Sequence, residues 1–388
     1  KKSSSKQGLA VNKIKFNDIF RSKESKSFLE ESLQTGHISG DGKFTELCAN
    51  FFEEKYGFKN SLLTTSCTDA LEMAAILLNI KPGDEVIAPS YTFVSTVNAF
   101  VLRGAFVRFV DSSPDNPNID PAEIKNSINS KTKAIIIVHY AGVACDFDEI
   151  KKIAGSIPII EDAAQAIDSY YHNKSLGSLG TFSTFSFHET KNITSGEGGM
   201  IVINDETYLD RALIIREKGT NRSAFYKGEV DKYGWGDIGS SFLMSDLNAA
   251  QLYSQLINLD KIQSIRRENY EIYRNNLTSL ENDEFFQIPE IPEFASNNAH
   301  MFYISLKNVS LRDEIMKFLK THNIQSAFHY LPLHLSEFYK KKYQGKELSN
   351  AIFWSNSIIR LPLHTNISKS EIDYVCSIFK KALVSING

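Results

Sequence analysis

The chain has 388 residues, of which 42% are hydrophobic and 23% are charged, and these proportions are typical of a globular protein. Its 43 Lys and Arg residues nearly balance its 46 Asp and Glu residues, which gives a formal net charge of −3. This balance argues against nucleic acid or an anionic membrane as the partner and favours a small molecule. The length predicts about two domains.

The cysteines and the apolar segments limit the class of protein further. Cys48, Cys67, Cys145 and Cys376 are far apart and form no C-x-x-C pair, which argues against a zinc site and against a disulfide framework. No run of 18 apolar residues is present, and the start KKSSSKQGLAV lacks the apolar core of a signal peptide. A cytoplasmic protein is therefore expected.

The first part of the chain predicts a helix over residues 43–55, because Phe44, Leu47, Phe51 and Phe52 recur at helical spacing. The glycine-rich segment before it, residues 35–42, is either a plain turn into the helix or a loop that contacts a ligand.

The next segment, LLTTSCTDALEMAAILL, predicts a short strand, a turn over residues 64–68, and a helix. Unpaired backbone N–H groups and the positive end of the helix meet at such a turn, which makes it a candidate phosphate site formed by Ser66, Cys67 and Thr68. The alternative is an ordinary helix cap by Ser66 or Thr68, which needs no ligand.

Strands and helices then alternate regularly, as in GDEVIAPS, FVRFVD, KAIIIVHY and IPIIED with helical segments between them. This order predicts a parallel sheet covered by helices on both faces. Ligands bind such sheets at the carboxyl ends of the strands. The segments that collect there are residues 90–93, His139 and Tyr140, residues 161–165, and residues 186–191.

Two residues at these strand ends have side chains that suit a specific chemical role. Lys191 lies in the turn of STFSFHETKNITSGEGGMIV, where a lysine that loses its proton can condense with an aldehyde. Asp162 ends an apolar strand, where a buried carboxylate needs a partner such as a cationic ring nitrogen. Taken singly, Lys191 is explained as a solvated loop lysine, and Asp162 as the cap of a helix at AAQAI.

The segments TSCTDALEMA, PSYTFVST, EDAAQA, SFHETKN and GEGG, in that order, resemble the DegT/DnrJ/EryC1/StrS family of pyridoxal-phosphate (PLP) sugar aminotransferases. The resemblance extends over residues 14–380. It implies an α/β fold of the aspartate aminotransferase type (fold type I), with a large PLP-binding domain at residues 12–255 and a smaller C-terminal domain at residues 256–388. It also implies a homodimer.

The resemblance assigns roles to individual residues. Lys191 would bind the aldehyde of PLP and later move a proton at the substrate's alpha carbon, and Asp162 would pair with the ring nitrogen. The other implied cofactor contacts are Gln165 at the ring hydroxyl, Phe93 on the ring face, and Ser66, Cys67, Thr68 and Ser186 at the phosphate. Many relatives have glycine at position 67, so the backbone N–H of Cys67 is expected to matter rather than its thiol.

The implied substrate site is less well defined. His188 either touches the substrate or packs in its turn, and His329 is equally open to a structural role. Lys218, Arg222 and His329 are the nearest candidates to bind a nucleoside diphosphate. Ser241 stands where many relatives have an asparagine that reaches the partner subunit's cofactor phosphate. The loop of residues 219–236 is expected to cover the partner's active site.

The end of the chain is predicted to form the smaller domain. Residues 244–277 predict helical core packing that bridges the two domains. Beyond them, the expected elements are a strand at FYISL, a helix over residues 311–322, a strand and turn at SAFHYLPLH, and a last helix after Ser368.

Within the family, SFHETKN and GTNRS resemble the C4 aminotransferase branch that makes dTDP-4-amino-4,6-dideoxygalactose for surface polysaccharides of the enterobacterial common antigen type. The expected reaction moves an amino group from L-glutamate to the C4 ketone of dTDP-4-keto-6-deoxyglucose, with the galacto product favoured over the gluco epimer. The alternatives are C3 amination or a PLP-dependent sugar dehydration on the same fold. An NAD-using protein is disfavoured because no G-x-G-x-x-G follows a strand.

Overall fold

The computed structural model describes residues 13–278 and 285–387, and its strands form three sheets. In chain order the strands are β1 (Ser61–Thr64), β2 (Glu85–Pro89), β3 (Phe106–Val110), β4 (Thr132–Val138), β5 (Ile159–Asp162), β6 (Tyr170–Tyr171), β7 (Lys174–Ser175), β8 (Phe182–Ser186), β9 (Gly199–Ile203), β10 (Phe286–Gln287), β11 (Phe302–Leu306) and β12 (Ile358–Leu361).

The helices alternate with these strands over the first two thirds of the chain and then predominate. They are α1 (Ser25–Thr35), α2 (Lys43–Tyr56), α3 (Cys67–Leu77), α4 (Ser95–Val101), α5 (Pro121–Ser127), α6 (Phe147–Ala154), α7 (Leu209–Arg216), α8 (Arg222–Tyr226), α9 (Asp246–Leu256), α10 (Leu259–Thr278), α11 (Arg312–Thr321), α12 (Ser349–Ser357) and α13 (Lys369–Asn387).

The largest sheet has seven strands in the order β1-β9-β8-β5-β4-β2-β3. The neighbours from β8 to β3 pair in parallel, whereas β9 runs antiparallel to both β8 and β1. The parallel strands end at one edge of the sheet, so the segments that follow β4, β5 and β8 meet there. This edge holds Asp162, Gln165, Ser186 and Lys191, which the sequence analysis selected.

Both faces of the large sheet are buried. Successive side chains of a strand point to opposite sides of the sheet, so each strand contributes to the apolar core on either face. In β4, Ile135 and Ile137 join one apolar core, and Ala134 and Ile136 join the other. Each of the three isoleucines is fully buried, and such burial stabilises the fold by about 1.5–3 kcal/mol per side chain. The predicted α/β architecture with a sheet covered on both faces is confirmed.

A third apolar core belongs to the C-terminal region, where α10, α11 and α13 pack on the antiparallel sheet β10-β11-β12. The N-terminal segment joins this region: the Ile14 N–H donates to the Asn323 carbonyl at 2.8 Å. The proposed domain limits at residues 12–255 and 256–388 stay a prediction.

Several local predictions need correction. No helix follows Asp162, since residues 163–169 form turns, so the helix-cap explanation of Asp162 is wrong. The segment 326–334 is not a strand; it has one isolated bridge, from Ala327 to Arg360, and Pro332 has no N–H to extend it. The loop of residues 219–236 contains the short helix α8.

In the part of the chain that the structure describes, no helix combines the length and apolar character needed to span a bilayer. The helix predicted over residues 43–55 is present as α2, and the helix after Ser368 is present as α13.

Candidate active site

A cavity of about 500 Å³ lies at the carboxyl ends of β4, β5 and β8, beside the N-terminus of α3 and below the C-terminal region. Most of the residues that the sequence selected line it together: Ser66, Cys67, Thr68, Phe93, Asp162, Gln165, Ser186, His188, Lys191 and His329. The C-terminal region adds Tyr330 and Arg360 to the wall. Residues far apart in the chain therefore form one site.

Lys191 lies in the turn after β8, where its backbone N–H donates to the His188 carbonyl at 2.9 Å. Its side chain lines the cavity and the residue is partly buried. Burial lowers the pKa of Lys191 below its ordinary value, Asp162 opposes this effect, and the positive charge of Arg360 adds to it. The amine therefore loses its proton more readily than a solvated lysine, as condensation with an aldehyde requires.

Asp162 is the last residue of β5 and is 6% exposed. Its carboxylate accepts a hydrogen bond from the Thr96 hydroxyl at 2.7 Å and one from the Ala164 N–H at 3.2 Å. Burial raises the pKa of Asp162, and these hydrogen bonds counteract the rise only in part. Among the described residues, no cation lies within 4.0 Å of this carboxylate, so it has room for a cationic partner in the cavity.

A pair of fully buried residues stands behind Asp162. His139 Nε2 lies 3.0 Å from Glu161 Oε2, and both side chains are 0% exposed. The Cys145 backbone N–H donates to His139 Nδ1 at 3.2 Å, so the ring carries its proton on Nε2 and donates it to Glu161. Burial raises the pKa of Glu161, but the bonds from His139 and nearby backbone N–H groups hold it below the ordinary value. The N–H groups of His139, Gly177 and Gly180 thus stabilise the Glu161 carboxylate and fix the base of the cavity.

The N-terminus of α3 is capped as the alternative explanation required: the Ser66 hydroxyl accepts from the Asp69 N–H at 3.0 Å. In the described part of the chain, no acceptor pairs with the backbone N–H of Cys67 or Thr68. The cap and the anion site are therefore compatible, since the cap uses only one of the unpaired N–H groups. Burial raises the pKa of the Cys67 thiol, so the thiol stays neutral.

Gly199, the last residue of GEGG, lies where a side chain has no room. A Cβ atom at this position would lie 2.3 Å from the Cys67 nitrogen and 2.3 Å from the Ser66 carbonyl carbon. The first residue of β9 thus passes directly beneath the turn that begins α3. Any side chain there would displace the N–H groups that face the cavity.

Phe93 and Gln165 differ in how firmly they are held. Phe93 is 55% exposed although it is aromatic, and its ring lies 6.1 Å from that of Tyr330. Gln165 is buried; its amide accepts from the Ala141 N–H at 2.7 Å and donates to the Tyr330 hydroxyl at 2.9 Å. An open aromatic face and a fixed amide suit a flat polar ring.

The donor set of the cavity fits PLP. The lowered pKa of Lys191 favours its neutral amine, the Asp162 carboxylate has no cation beside it, and the unpaired N–H groups of α3 offer a phosphate site. Each of these three groups matches a different part of the cofactor: its aldehyde, its ring nitrogen and its phosphate.

The two histidines have different environments. His188 keeps 42% of its side chain exposed; its Nδ1 lies 2.9 Å from the Thr190 hydroxyl, and its Nε2 lies 3.9 Å from the Glu197 carboxylate. His329 is stacked on Tyr330 with ring centroids 4.0 Å apart, and it contacts Arg360. His188 is therefore free to meet a substrate, whereas His329 is held rigidly in the wall.

Lys218, Arg222 and Ser241 do not reach this cavity. They line a second cavity of about 660 Å³ with residues that include Asp41 and Glu217. Lys218 and Arg222 both approach the Glu217 carboxylate, at 3.2 Å and 3.7 Å. A role for these three residues near Lys191 depends on a second subunit and stays a prediction.

Sequence reasoning missed Thr96, Tyr330 and Arg360. Thr96 had no signal beyond its place in PSYTFVST, and Tyr330 had none beyond its place in SAFHYLPLH. Arg360 did leave a signal, because a charged residue inside the apolar strand sequence IIRL is unusual. Such a residue needs either a partner or a function.

Comparison with known proteins agrees with this geometry. Residues 21–380 match the sequence model of the DegT/DnrJ/EryC1/StrS aminotransferase family. An uncharacterized protein of Methanocaldococcus jannaschii is 35% identical over 355 residues, which cover 89% of this chain and 90% of that protein. GDP-perosamine synthase of Escherichia coli O157:H7 is 33% identical over 356 residues, which cover 91% of this chain and 94% of that enzyme.

Solved structures of similar proteins share the fold over nearly the whole chain. The aminotransferase TlmJ from Streptoalloteichus hindustanus superposes with a TM-score of 0.89 at 25% identity, covering 97% of this chain and 100% of that one. Spr1654 from Streptococcus pneumoniae, a proposed sugar aminotransferase, superposes in its PLP form with a TM-score of 0.87 at 26% identity, covering 96% and 99%. The predicted fold type and the predicted cofactor, PLP, are confirmed.

Proposed function

Because this chain belongs to the DegT/DnrJ/EryC1/StrS aminotransferase family, we propose that it moves an amino group from L-glutamate to the C4 ketone of dTDP-4-keto-6-deoxyglucose. The product is a dTDP-4-amino-4,6-dideoxyhexose, with the galacto epimer favoured. The observation that supports transamination best is the shared cavity of Lys191, Asp162 and the α3 N-terminus. The choice of C4 rests on the resemblance of SFHETKN and GTNRS to that branch.

In this proposal each part of the cavity holds one part of PLP. Lys191 carries its aldehyde, Asp162 faces its ring nitrogen, and the N–H groups of Cys67 and Thr68 meet its phosphate. When bound, PLP supplies an electron sink for the negative charge that develops at the carbon bearing the transferred nitrogen. Phe93 covers one face of the ring.

The chain's own groups then orient the reactants and move the proton. Once the donor's amine has displaced it from the aldehyde, the Lys191 amine would move the proton off the donor's alpha carbon, and in the second half of the reaction it would deliver a proton to the sugar carbon that receives the nitrogen. Thr96 holds the Asp162 carboxylate in place through its 2.7 Å hydrogen bond. His329 and Tyr330 lie over the cavity and limit the access of water.

We also propose that the active unit is a homodimer. Tyr226, Tyr233 and Trp235 of the 219–236 loop are 70%, 54% and 85% exposed, an apolar surface that supports burial against a second copy. In this arrangement Lys218 and Arg222 meet the nucleoside diphosphate in the partner's site, and Ser241 meets the partner's cofactor phosphate. Sedimentation tests this proposal; a fully active monomer would contradict it.

A GDP-linked ketone is the second candidate acceptor, favoured by the 33% identity to GDP-perosamine synthase. The deciding experiment incubates the purified, PLP-loaded protein with L-glutamate and either dTDP-, GDP- or UDP-linked 4-keto-6-deoxy sugar. Lys191→Ala protein serves as the control for uncatalysed amination. Mass spectrometry and NMR of the product should show an amine at C4 of the dTDP sugar.

Other products decide between the alternatives. Amination of the GDP sugar with little reaction of the dTDP sugar would support the second candidate. An amine at C3, or loss of water without amination, would refute both.

A further inference from the structure

His300 is a buried histidine in the wall of the active-site cavity. It lies just before β11, is 5% exposed, and lines the cavity together with Lys191. Its Nδ1 atom lies 2.8 Å from the side-chain oxygen of Asn192. Its other ring nitrogen, Nε2, pairs with no donor in the described part of the chain. One end of the ring is therefore fixed, and the other end has an open hydrogen-bonding position.

His364 shows how a structural histidine is held in the same protein. Its Nδ1 accepts from the Asn366 N–H at 3.2 Å, and its Nε2 donates to the Lys15 carbonyl at 3.2 Å. The fold uses both ring nitrogens of His364, as it does in His139. In His300 it uses only one, so the second nitrogen is available to the cavity.

A chain of buried side-chain amides fixes the proton of His300. Asn192 Nδ2 donates to the Asn298 carbonyl and to Gln263 Oε1, both at 2.9 Å. Gln263 Nε2 donates in turn to the Asp168 carboxylate at 3.3 Å. The carbonyl and the carboxylate can only accept, so each amide has one possible orientation. The Asn192 oxygen must therefore accept from His300, whose proton is on Nδ1 and whose Nε2 carries a lone pair.

The surroundings keep the His300 ring neutral. Burial lowers the pKa of His300 well below its ordinary value, and the positive charges of Lys191, Arg360 and Arg266 lower it further. A proton on Nε2 would add one more charge to this group of cations. The lone pair of Nε2 thus stays available as a hydrogen-bond acceptor.

The Lys191 amine is the matching donor in this cavity. Among the described residues, none holds this amine by a hydrogen bond, and the carboxylate that acts on it, Asp162, faces the ring nitrogen in the proposed cofactor site. Of the charges that act on His300, that of Lys191 has the largest effect, so the two groups are neighbours. An acceptor without a donor thus lies beside a donor without an acceptor.

We propose that His300 Nε2 accepts a hydrogen bond from the Lys191 amine whenever that amine is not joined to the cofactor. Asn192 follows Lys191 in the chain, so its bond to His300 fixes the ring relative to the backbone that carries the lysine. The Lys191 N–H donates to the His188 carbonyl at 2.9 Å, which leaves only the flexible side chain to move. His300 is thus a positioning residue that holds the released amine ready to move a proton. This assignment rests on the proposed role of Lys191.

Two variants separate Nε2 from the rest of the ring. In His300→Asn, the amide can still donate to the Asn192 oxygen, but nothing replaces Nε2. In His300→Gln, the longer side chain can place its amide oxygen where Nε2 stood. His334→Asn is the matched control, because His334 is also buried, at 2% exposure, and its ring bonds the Ser90 hydroxyl through Nδ1 at 2.6 Å, away from the cavity wall.

The first measurement follows the cofactor absorbance of each holoenzyme after mixing with L-glutamate in the absence of any sugar. Loss of a hydrogen bond to a charged amine predicts that His300→Asn reacts about 10- to 100-fold more slowly. The slowing should be larger with L-glutamate deuterated at its alpha carbon, because proton movement by a poorly placed amine becomes rate-limiting. His300→Gln should lie between His300→Asn and the native protein, and His334→Asn should react as the native protein does.

The second measurement uses holoenzyme loaded with pyridoxamine phosphate, which has an amine in place of the aldehyde and leaves Lys191 free. Limited acetylation over a pH series, followed by mass spectrometry, gives the pH at which the Lys191 amine is half protonated. Accepting a hydrogen bond favours the protonated form, so this pH should fall in His300→Asn but not in His300→Gln. Asp162 of β5, Cys67 of α3, Arg360 of β12 and the cofactor amine face the same group and are identical in both variants.

Several outcomes would overturn the assignment. A native rate and a native acetylation profile in His300→Asn would refute it. Equal losses of rate in both variants, with equally lowered melting temperatures and no shift in acetylation, would show that the histidine is only structural. Weaker PLP binding in dialysis with an unshifted acetylation profile would mean that His300 contacts the cofactor rather than the lysine.

The same experiments separate this assignment from the proposed function. If His300→Asn behaves as expected but no keto sugar is aminated, the proposed acceptor is wrong and the role of His300 stands. The acetylation series needs neither substrate, so it decides the role of His300 even if L-glutamate is not the amino donor. Retained transamination in Lys191→Ala would refute both.

Discussion

Asp162→Asn replaces a carboxylate with an amide of nearly the same shape and thus removes a charge from the base of the cavity. The native side chain is 6% exposed and accepts hydrogen bonds from Thr96 and from the Ala164 N–H. An asparagine oxygen can keep the Ala164 bond, so the turn after β5 should survive. The variant isolates the electrostatic role of Asp162 toward the cofactor ring.

The size of the effect follows from the burial of this charge. An adjacent opposite charge shifts a pKa by about 1–3 units. Its removal therefore lowers the protonated fraction of the ring nitrogen by about 10- to 1000-fold. We expect turnover to fall by a similar factor, because an unprotonated ring is a poorer electron sink. The lost charge-assisted hydrogen bond, about 1.5–3 kcal/mol, should weaken PLP binding by about 10- to 150-fold.

Turnover with L-glutamate and the keto sugar, and PLP affinity by equilibrium dialysis, measure the two effects separately. Asp120→Asn is a matched control, because Asp120 makes the same type of contact, accepting from the Ala122 N–H at 2.8 Å outside the cavity. Asparagine caps helices as well as aspartate, so this control should behave as the native protein. Unchanged turnover and PLP affinity in Asp162→Asn, with a lower melting temperature, would refute the electrostatic role.

Further predictions concern Lys191 and the turn beneath the cofactor phosphate. Lys191→Ala should abolish turnover and the visible band of the covalently held cofactor while PLP still binds through its phosphate; any retained transamination would contradict this. The lowered pKa of Lys191 leaves more neutral amine as pH rises, so the rate of PLP uptake by cofactor-free protein, followed by absorbance, should level off below pH 10.5, and a rate still climbing there would contradict the shift. Gly199→Ala places a Cβ 2.3 Å from the Cys67 nitrogen and should weaken PLP binding in dialysis, and an unchanged PLP affinity would contradict the close approach of β9 to this turn.

The site residues at the edge of the large sheet could be predicted from the sequence, and the reason is physical. In a parallel sheet the strand ends meet at one edge, so residues that follow apolar strands must lie near one another. Asp162 at the end of β5 and Lys191 after β8 were placed by this rule, whereas Ser66 was placed by the start of the helix that follows it. The helix-cap alternative for Asp162 failed because the small residues after it form turns rather than a helix.

The contribution of the C-terminal region could not be read from local patterns. His329, Tyr330 and Arg360 reach the cavity only because the small sheet packs over the large one, and periodicity carries no information on that contact. The segment that holds His329 looked like a strand, yet it forms a single bridge to Arg360. Lys218 and Arg222 were selected for their charge alone, and in the single chain they face Glu217 instead.

The charges around the cavity are arranged by position. The side chains of Asp162, Lys191, Glu197 and Arg360 line it, while the buried pair of His139 and Glu161 lies below it. The unpaired N–H groups at the start of α3 add an anion site that needs no charged side chain. A carboxylate for the ring nitrogen and N–H groups for the phosphate, at separate places in the wall, would hold the cofactor in one orientation with its aldehyde toward Lys191.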